Sequence, residues 1–188
     1  MINMIEIPEL VLQDPLRVKA LECAFQLHLP DCYLAAGFVR NLVWDHLHQK
    51  TISTPLNDID VIYFDQKEKA LAYLTHEATL KKLMPSVNWQ VRNQAKMHQR
   101  NGDRPYLTSL DAMGFWPEKE TAVAIRQSVQ HQGKPQKEHY ECIAAFGFES
   151  LFNLHITPNP KRDISIVKAR VNNKNWLITW PKLVLLDV

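Results

Sequence analysis

Apolar positions along the chain switch between two rhythms. Leu16, Ala20, Ala24 and Leu27 fall on one helical stripe. Asp14-Pro15 supplies an N-cap and a first-turn proline ahead of them, and Pro30 ends the run. The stretch Cys32-Tyr33-Leu34-Ala35-Ala36 is continuously apolar, too short for a helix and closed by Gly37, which predicts a buried strand. From Val39 the helical period returns, with Val39, Leu42, Val43 and Leu47 on one face. Residues 57–64 are β-branched and aromatic and predict a second strand. Asp65 and Glu68 then predict a capping box for a helix that turns Leu71, Leu74 and Ala78 inward.

Strict alternation follows. Trp89, Val91, Asn93, Ala95 and Met97 lie on one side, and Gln90, Arg92, Gln94, Lys96 and His98 on the other, as in a half-buried strand. A short helix is expected near residues 108–115. Strands near 121–129 and 139–146 flank a polar turn with Gly133 and Pro135, and a helix is expected over 148–154. Pro158 and Pro160 break the chain before a basic, Trp-containing tail. A β/α alternation interrupted by a hairpin predicts an α+β fold with a mixed β-sheet flanked by helices. Residues 1–157 are expected to form the main domain, with 158–188 packed on it.

Composition narrows the class. With 188 residues and 46% hydrophobic content, the chain can bury a core without disulfides. Twenty-two basic residues against 20 acidic ones leave a net charge of +2, no pointer to nucleic acid. Cys23, Cys32 and Cys142 are too scattered for a disulfide or zinc framework and read as thiols of a reducing compartment. Residues 1–10 lack a basic, apolar leader, and no run is long enough to span a bilayer; a cytoplasmic protein with no membrane partner is expected. His46, His48, His131 and His139 show no zinc spacing and read as surface residues.

The informative chemistry is Asp58 and Asp60. Two apart on a strand, they project from one face and repel each other, a conflict that a hard divalent cation such as Mg²⁺ relieves. The bland alternative is a solvated strand end. Gly37, between a buried strand and a helix start, offers free amides to an anion, with Arg40 one turn further on; a plain turn is the alternative there. Arg92, Lys96, Arg100 and Arg104, with Lys161, Arg162, Lys168, Arg170, Lys174 and Lys182 beside Trp176 and Trp180, form either an RNA-holding surface or a solvated face with a docked Trp.

In wording and order, Ala36-Gly37-Phe38-Val39-Arg40-Asn41 followed by Asn57-Asp58-Ile59-Asp60-Val61 resembles the polymerase β-type nucleotidyltransferase superfamily, nearest to the tRNA CCA-adding and poly(A) polymerase branch. Trp44-Asp45, Pro55-Leu56, Asn93-Gln94-Ala95, Trp116-Pro117-Glu118, Trp176 and Trp180-Pro181 extend the similarity to a small family of bacterial nucleotidyltransferase-like proteins. The resemblance implies the polymerase β-like nucleotidyltransferase fold. It also implies transfer of a nucleoside monophosphate from a nucleoside triphosphate to a hydroxyl acceptor, whether RNA, protein or small molecule. Asp58 and Asp60 would be catalytic and hold Mg²⁺ (or Mn²⁺), and Gly37, Phe38, Arg40 and Asn41 would bind the nucleotide. The third carboxylate usual in the superfamily has no counterpart on the 89–98 strand. Asn93 is expected either to take its place or to bond nearby backbone, with Glu120 a lesser candidate. The alternative function is a catalytically weak nucleotide-binding or regulatory domain on the same fold.

Overall fold

The computed structural model describes residues 6–130 and 132–187. The readings made for residues 1–5, His131 and Val188 lie outside the described residues. In chain order the helices and strands are α1 (Ile7–Leu12), α2 (Pro15–Phe25), β1 (Tyr33–Ala35), α3 (Gly37–Leu47), β2 (Ile59–Tyr63) and α4 (Tyr73–Leu83). They continue as β3 (Trp89–Asn93), α5 (Gln94–Asn101), α6 (Ser109–Met113), β4 (Val123–Gln127), β5 (Tyr140–Ala144) and α7 (Glu149–Phe152). The chain ends with β6 (His155–Ile156), α8 (Ile164–Asn173), α9 (Trp176–Thr179) and β7 (Val184–Leu185).

Five strands form one sheet in the order β3-β2-β1-β4-β5, with β2 and β3 parallel and the other pairs antiparallel. This is the mixed sheet expected of the sequence. Its helical side buries Leu34, Ile59, Val61, Tyr63, Trp89, Val91 and Ile125 against residues of α1, α2, α3, α7, α8 and α9. The opposite face carries the alternate residues Tyr33, Ala35, Ile62 and Ala124, covered in part by Met113 and Trp116. On that face Ala35 stands directly opposite both Asp60 and Ala124, so the sheet beside Asp60 is floored by two small side chains.

The chain after Pro158 belongs to the same packing. Val167, Val171, Trp176, Trp180 and Leu183 join the main core cluster, and β7 pairs in parallel with β6. Trp176 and Trp180 meet Trp44 edge-on, with ring centroids 5.7 and 5.1 Å away. Trp180 Nε1 donates to Asp45 Oδ1 at 2.7 Å, and the same carboxylate accepts from Thr54 N and Thr54 Oγ1, both at 2.6 Å. One buried acid on α3 thus fixes both the C-terminal segment and the loop leading to β2.

Three local expectations are corrected. In α2 the buried stripe is Arg17, Ala20, Leu21 and Ala24, leaving Leu16 exposed. Arg17 takes the inward place because its Nε donates to Phe38 O at 2.8 Å and its guanidinium pairs with Asp14. Leu71, Leu74 and Ala78 are exposed, and α4 starts only at Tyr73. Glu68 does not cap that helix. Its carboxylate instead accepts from Tyr63 Oη at 2.5 Å and Asn93 Nδ2 at 2.8 Å, and pairs with His76 at 2.8 Å. The alternation read over residues 89–98 stops at Asn93, whose Oδ1 accepts from Ala95 N at 3.1 Å and caps α5.

Asp45→Ala should cost on the order of 3 kcal/mol, because it strands several buried donors at once. Urea unfolding checks this; a loss below about 1 kcal/mol would show that the carboxylate does not hold the C-terminal segment.

Candidate active site

The chain reverses from β1 into α3 at a single residue. Ala36 has φ 57° and ψ −122°, a conformation glycine adopts readily and alanine only under constraint. Its N–H donates to Val123 O at 2.9 Å, and its carbonyl accepts from Val39 N at 3.1 Å and Arg40 N at 2.9 Å. The amides of Gly37 and Phe38 therefore open an 11-residue helix with no intrahelical acceptor, at its positive end. A Cβ on Gly37 would meet the Asn41 and Arg40 side chains at 3.5–3.6 Å, an ordinary contact, so packing does not demand glycine. What its bare backbone leaves is close access to these amides.

Ala36 and Gly37 line a cavity of about 410 Å³ that also takes in Asn41, the 54–58 loop, Asp58 and Asp60. The facing wall comes from Arg170, Asn173 and Lys174 of α8 and its end, and from Asn175, Trp176, Thr179 and Trp180. Asp58 and Asp60, both half-buried, thus open with Gly37 into one space. Burial, then the neighbouring Asp58, push the Asp60 carboxyl up to about 6, against the opposing pull of Lys174, Arg40 and Arg170. Lys174 is exposed and forms no ion pair among the described residues.

Other residues singled out from the sequence sit differently. Arg40 lines the cavity but is almost wholly buried. Its guanidinium stacks between Trp44 and Trp176, 4.9 and 4.3 Å from the ring centroids, and donates to Thr121 Oγ1 at 2.7 Å and Asn41 Oδ1 at 3.0 Å. Burial pushes its pKa down to about 10. Thr121 Oγ1 in turn donates to Glu118, whose other oxygen accepts from Arg170 Nε at 2.6 Å. The Phe38 side chain is fully buried in the core, so only its backbone can serve a ligand.

Asn93 is not beside the aspartates. It pairs in register with Tyr63, on the core side of the sheet, and its amide bonds Asp65 backbone and Glu68. The residue opposite Asp60 is Gln90, whose Nε2 donates to Asp58 Oδ2 at 2.9 Å. Glu120 is buried and accepts from Thr157 N at 2.7 Å, away from the cavity. Among the described residues no group of three or more His, Cys, Asp or Glu side chains could hold a metal. An ion on Asp58 and Asp60 would complete its shell from water and phosphate oxygens, the habit of Mg²⁺. Thr121, Arg170 and Lys174 also line the cavity and Gln90 adjoins it through Asp58; of these the sequence marks, within a basic patch only, Arg170 and Lys174. The spacing of the last two, four apart, was the available signal that they share a helix face.

A model of a nucleotidyltransferase family matches residues 22–185. The chain belongs to this nucleotidyltransferase family. A solved NMR structure described as revealing a CCA-adding enzyme head domain is 31% identical, with a TM-score of 0.80 over 97% of this chain and 95% of that one. A CCA-adding enzyme solved in complex with CTP shares the fold at 12% identity and a TM-score of 0.57; this chain spans 44% of its length. No curated protein matches the chain. The fold is thus that of the polymerase β-type nucleotidyltransferases, with its sheet, its strand-to-helix turn and its Asp-bearing strand in the order the sequence predicts. Among the described residues no helix is long and apolar enough to cross a membrane.

The raised Asp60 carboxyl has a sign. The folded protein holds this proton more tightly than an unfolded chain with the ordinary value of 3.8, so stability falls as pH rises from about 4 to about 6. Asp60→Asn should therefore stabilise the metal-free protein at pH 7.5, by on the order of 2 kcal/mol, with the difference shrinking at pH 4. Thermal unfolding at the two pH values measures it, and an equal effect at both would remove the charge conflict from the account.

Proposed function

We propose that the protein is a nucleotidyltransferase that uses Mg²⁺ (or Mn²⁺) to move a nucleoside monophosphate from a nucleoside triphosphate to a hydroxyl acceptor. The observation that carries this reading is the opening of Asp58, Asp60 and Gly37 into one cavity whose far wall bears Lys174 and Arg170. The paired carboxylates suit a hard cation, and a bound ion would supply charge neutralisation on the transferring phosphate. Gly37 and Phe38 amides meet the triphosphate at the positive end of α3. Lys174, with no acid partner of its own, balances its outer charge. Gln90 holds Asp58 in its rotamer. Arg40, almost wholly buried in the cavity wall, keeps α3, the 118–121 turn and α9 together so that the walls stay matched. The more distant fold relative was solved with CTP, a ligand of the proposed class.

A second reading has one specific observation in its favour. The place opposite Asp60 on the neighbouring strand holds a neutral amide, Gln90, where a third carboxylate would help a second ion. A nucleotide-binding regulatory domain with little turnover would fit that arrangement.

The test is thermal unfolding with each nucleoside triphosphate, with and without Mg²⁺ or Mn²⁺, joined to pyrophosphate release. A ligand at about a hundred times its Kd adds about 2.7 kcal/mol, which is on the order of 5–10 °C for a chain of this size. The wild type should show such a metal-dependent rise, and Asp58→Ala/Asp60→Ala should lose it. A rise that ignores the metal and survives the double substitution would overturn the reading. Binding without pyrophosphate release would favour the regulatory one.

A further inference from the structure

A second, smaller cavity of about 220 Å³ adjoins the first, and the two share Ala36, Asp60, Thr121 and Arg170. Asp60 and Ile62 are alternate positions on one face of β2, and Asp58 comes just before the strand. Asp58 and Asp60 open into the larger cavity, and Asp60 and Ile62 into the smaller. Asp60 therefore stands between two spaces and can serve a group in either.

Nucleotidyl transfer needs such an arrangement. The acceptor oxygen attacks the α-phosphorus from the side opposite the departing pyrophosphate. With the triphosphate against Gly37 and Lys174, an acceptor arriving through the smaller cavity meets the phosphate beside Asp60, on the side away from Lys174.

The walls state what that acceptor is like. Ile62, Met97, Trp116 and Pro117 are apolar, and Trp116, only half-buried, offers part of a flat indole. Both lining cations are already engaged. Arg92 lies 3.5 Å from Glu77 and over the Tyr73 ring, and Arg170 bonds Glu118. The amides of Gln94 and Asn101 each give one N–H, to Arg92 O and Tyr106 Oη at 3.3 and 3.2 Å. Their carbonyl oxygens have no partner among the described residues. The cavity thus presents two amides with open carbonyl oxygens and a carboxylate around an apolar floor. It suits a hydroxyl-bearing neutral ring better than a phosphate or carboxylate, since both of its cations already face acids. Its volume is below the usual range for drug-sized ligands and admits about one ring.

We propose that the smaller cavity is the acceptor subsite and that it takes an uncharged, hydroxyl-bearing sugar ring, stacked on Trp116 and held by Gln94 and Asn101. This rests on the nucleotidyltransferase reading above. In the step, the ring's hydroxyl oxygen bonds to the α-phosphorus while the bond from that phosphorus to the bridging oxygen of pyrophosphate breaks. The hydroxyl proton leaves on the Asp60 side, and the products are a phosphodiester and pyrophosphate.

The experiment gives the full chain Mn²⁺ and a nucleoside triphosphate labelled at the α-phosphate. The acceptor probes are adenosine, free ribose, adenosine 5′-monophosphate and tyrosine amide. Label should pass to adenosine or ribose. Transfer to adenosine alone would identify a nucleoside as the source of the ring, and transfer to both a free sugar. Trp116→Ala should raise the KM for that probe roughly tenfold, and Asn101→Ala, an exposed position that spares the core, severalfold, with the triphosphate KM within about twofold. Preferred transfer to tyrosine amide or to the monophosphate would overturn the proposal, as would an acceptor KM unchanged in both variants. Metal-dependent triphosphate binding with no labelled probe would overturn the acceptor class alone. No triphosphate binding by the wild type would instead defeat the underlying nucleotidyltransferase reading.

Discussion

One buried cation organises the working half of this molecule. Arg40 lies between the faces of Trp44 and Trp176, and its guanidinium continues through Thr121 and Glu118 to Arg170. A guanidinium taken out of water without partners would be costly, and burial lowers its pKa below the ordinary value. Two indoles, a hydroxyl and a nearby carboxylate compensate, and in doing so they join α3, the 118–121 turn, α8 and α9. The cavity exists because these elements are tied together. Breaking the stack would loosen the wall that carries Lys174.

The charges within the cavity follow from that frame. Asp60 on β2 and Asp58 just before it repel each other, and Asp60 lies between the small Ala35 on β1 and Gln90 on β3. The opposing positive charge is concentrated in the C-terminal segment. Residues 158–182 hold six of the 22 basic side chains and a single acid, although the whole chain is only +2. Of these six, Arg170 and Lys174 come to the wall facing the carboxylates, giving a site with acids on one wall and cations on the other.

Much of this was legible in the sequence, for identifiable reasons. The run 32–36, Gly37 and the Asp58/Asp60 strand are local patterns whose meaning depends on a few adjacent residues, and each element forms where the pattern puts it. Where the reading failed, a long-range partner decided. Arg17 takes the inward place instead of Leu16, its Nε donating to Phe38 O, 21 residues away. Glu68 was drawn from a cap to Tyr63, His76 and Asn93. The placement of Asn93 was recoverable without the structure. Ile59, Val61 and Tyr63 mark the core face of β2, and Trp89 and Val91 that of β3. Asn93 shares their parity and must point away from the aspartates, while Gln90 shares their side. Arg40 could not be so corrected, since nothing local foretells that Trp176, 136 residues on, would cover it.

The most direct test of the central claim, a divalent ion and a triphosphate held jointly by Asp58 and Asp60, is paramagnetic broadening of backbone amide NMR signals by Mn²⁺ in the presence of ATP. The account predicts strongest broadening at Gly37, Asp58, Asp60 and Lys174. The far ends of α2 and β4, around His28 and Gln127, should be affected least. Broadening centred elsewhere, or a pattern unchanged by Asp58→Asn/Asp60→Asn, would contradict it.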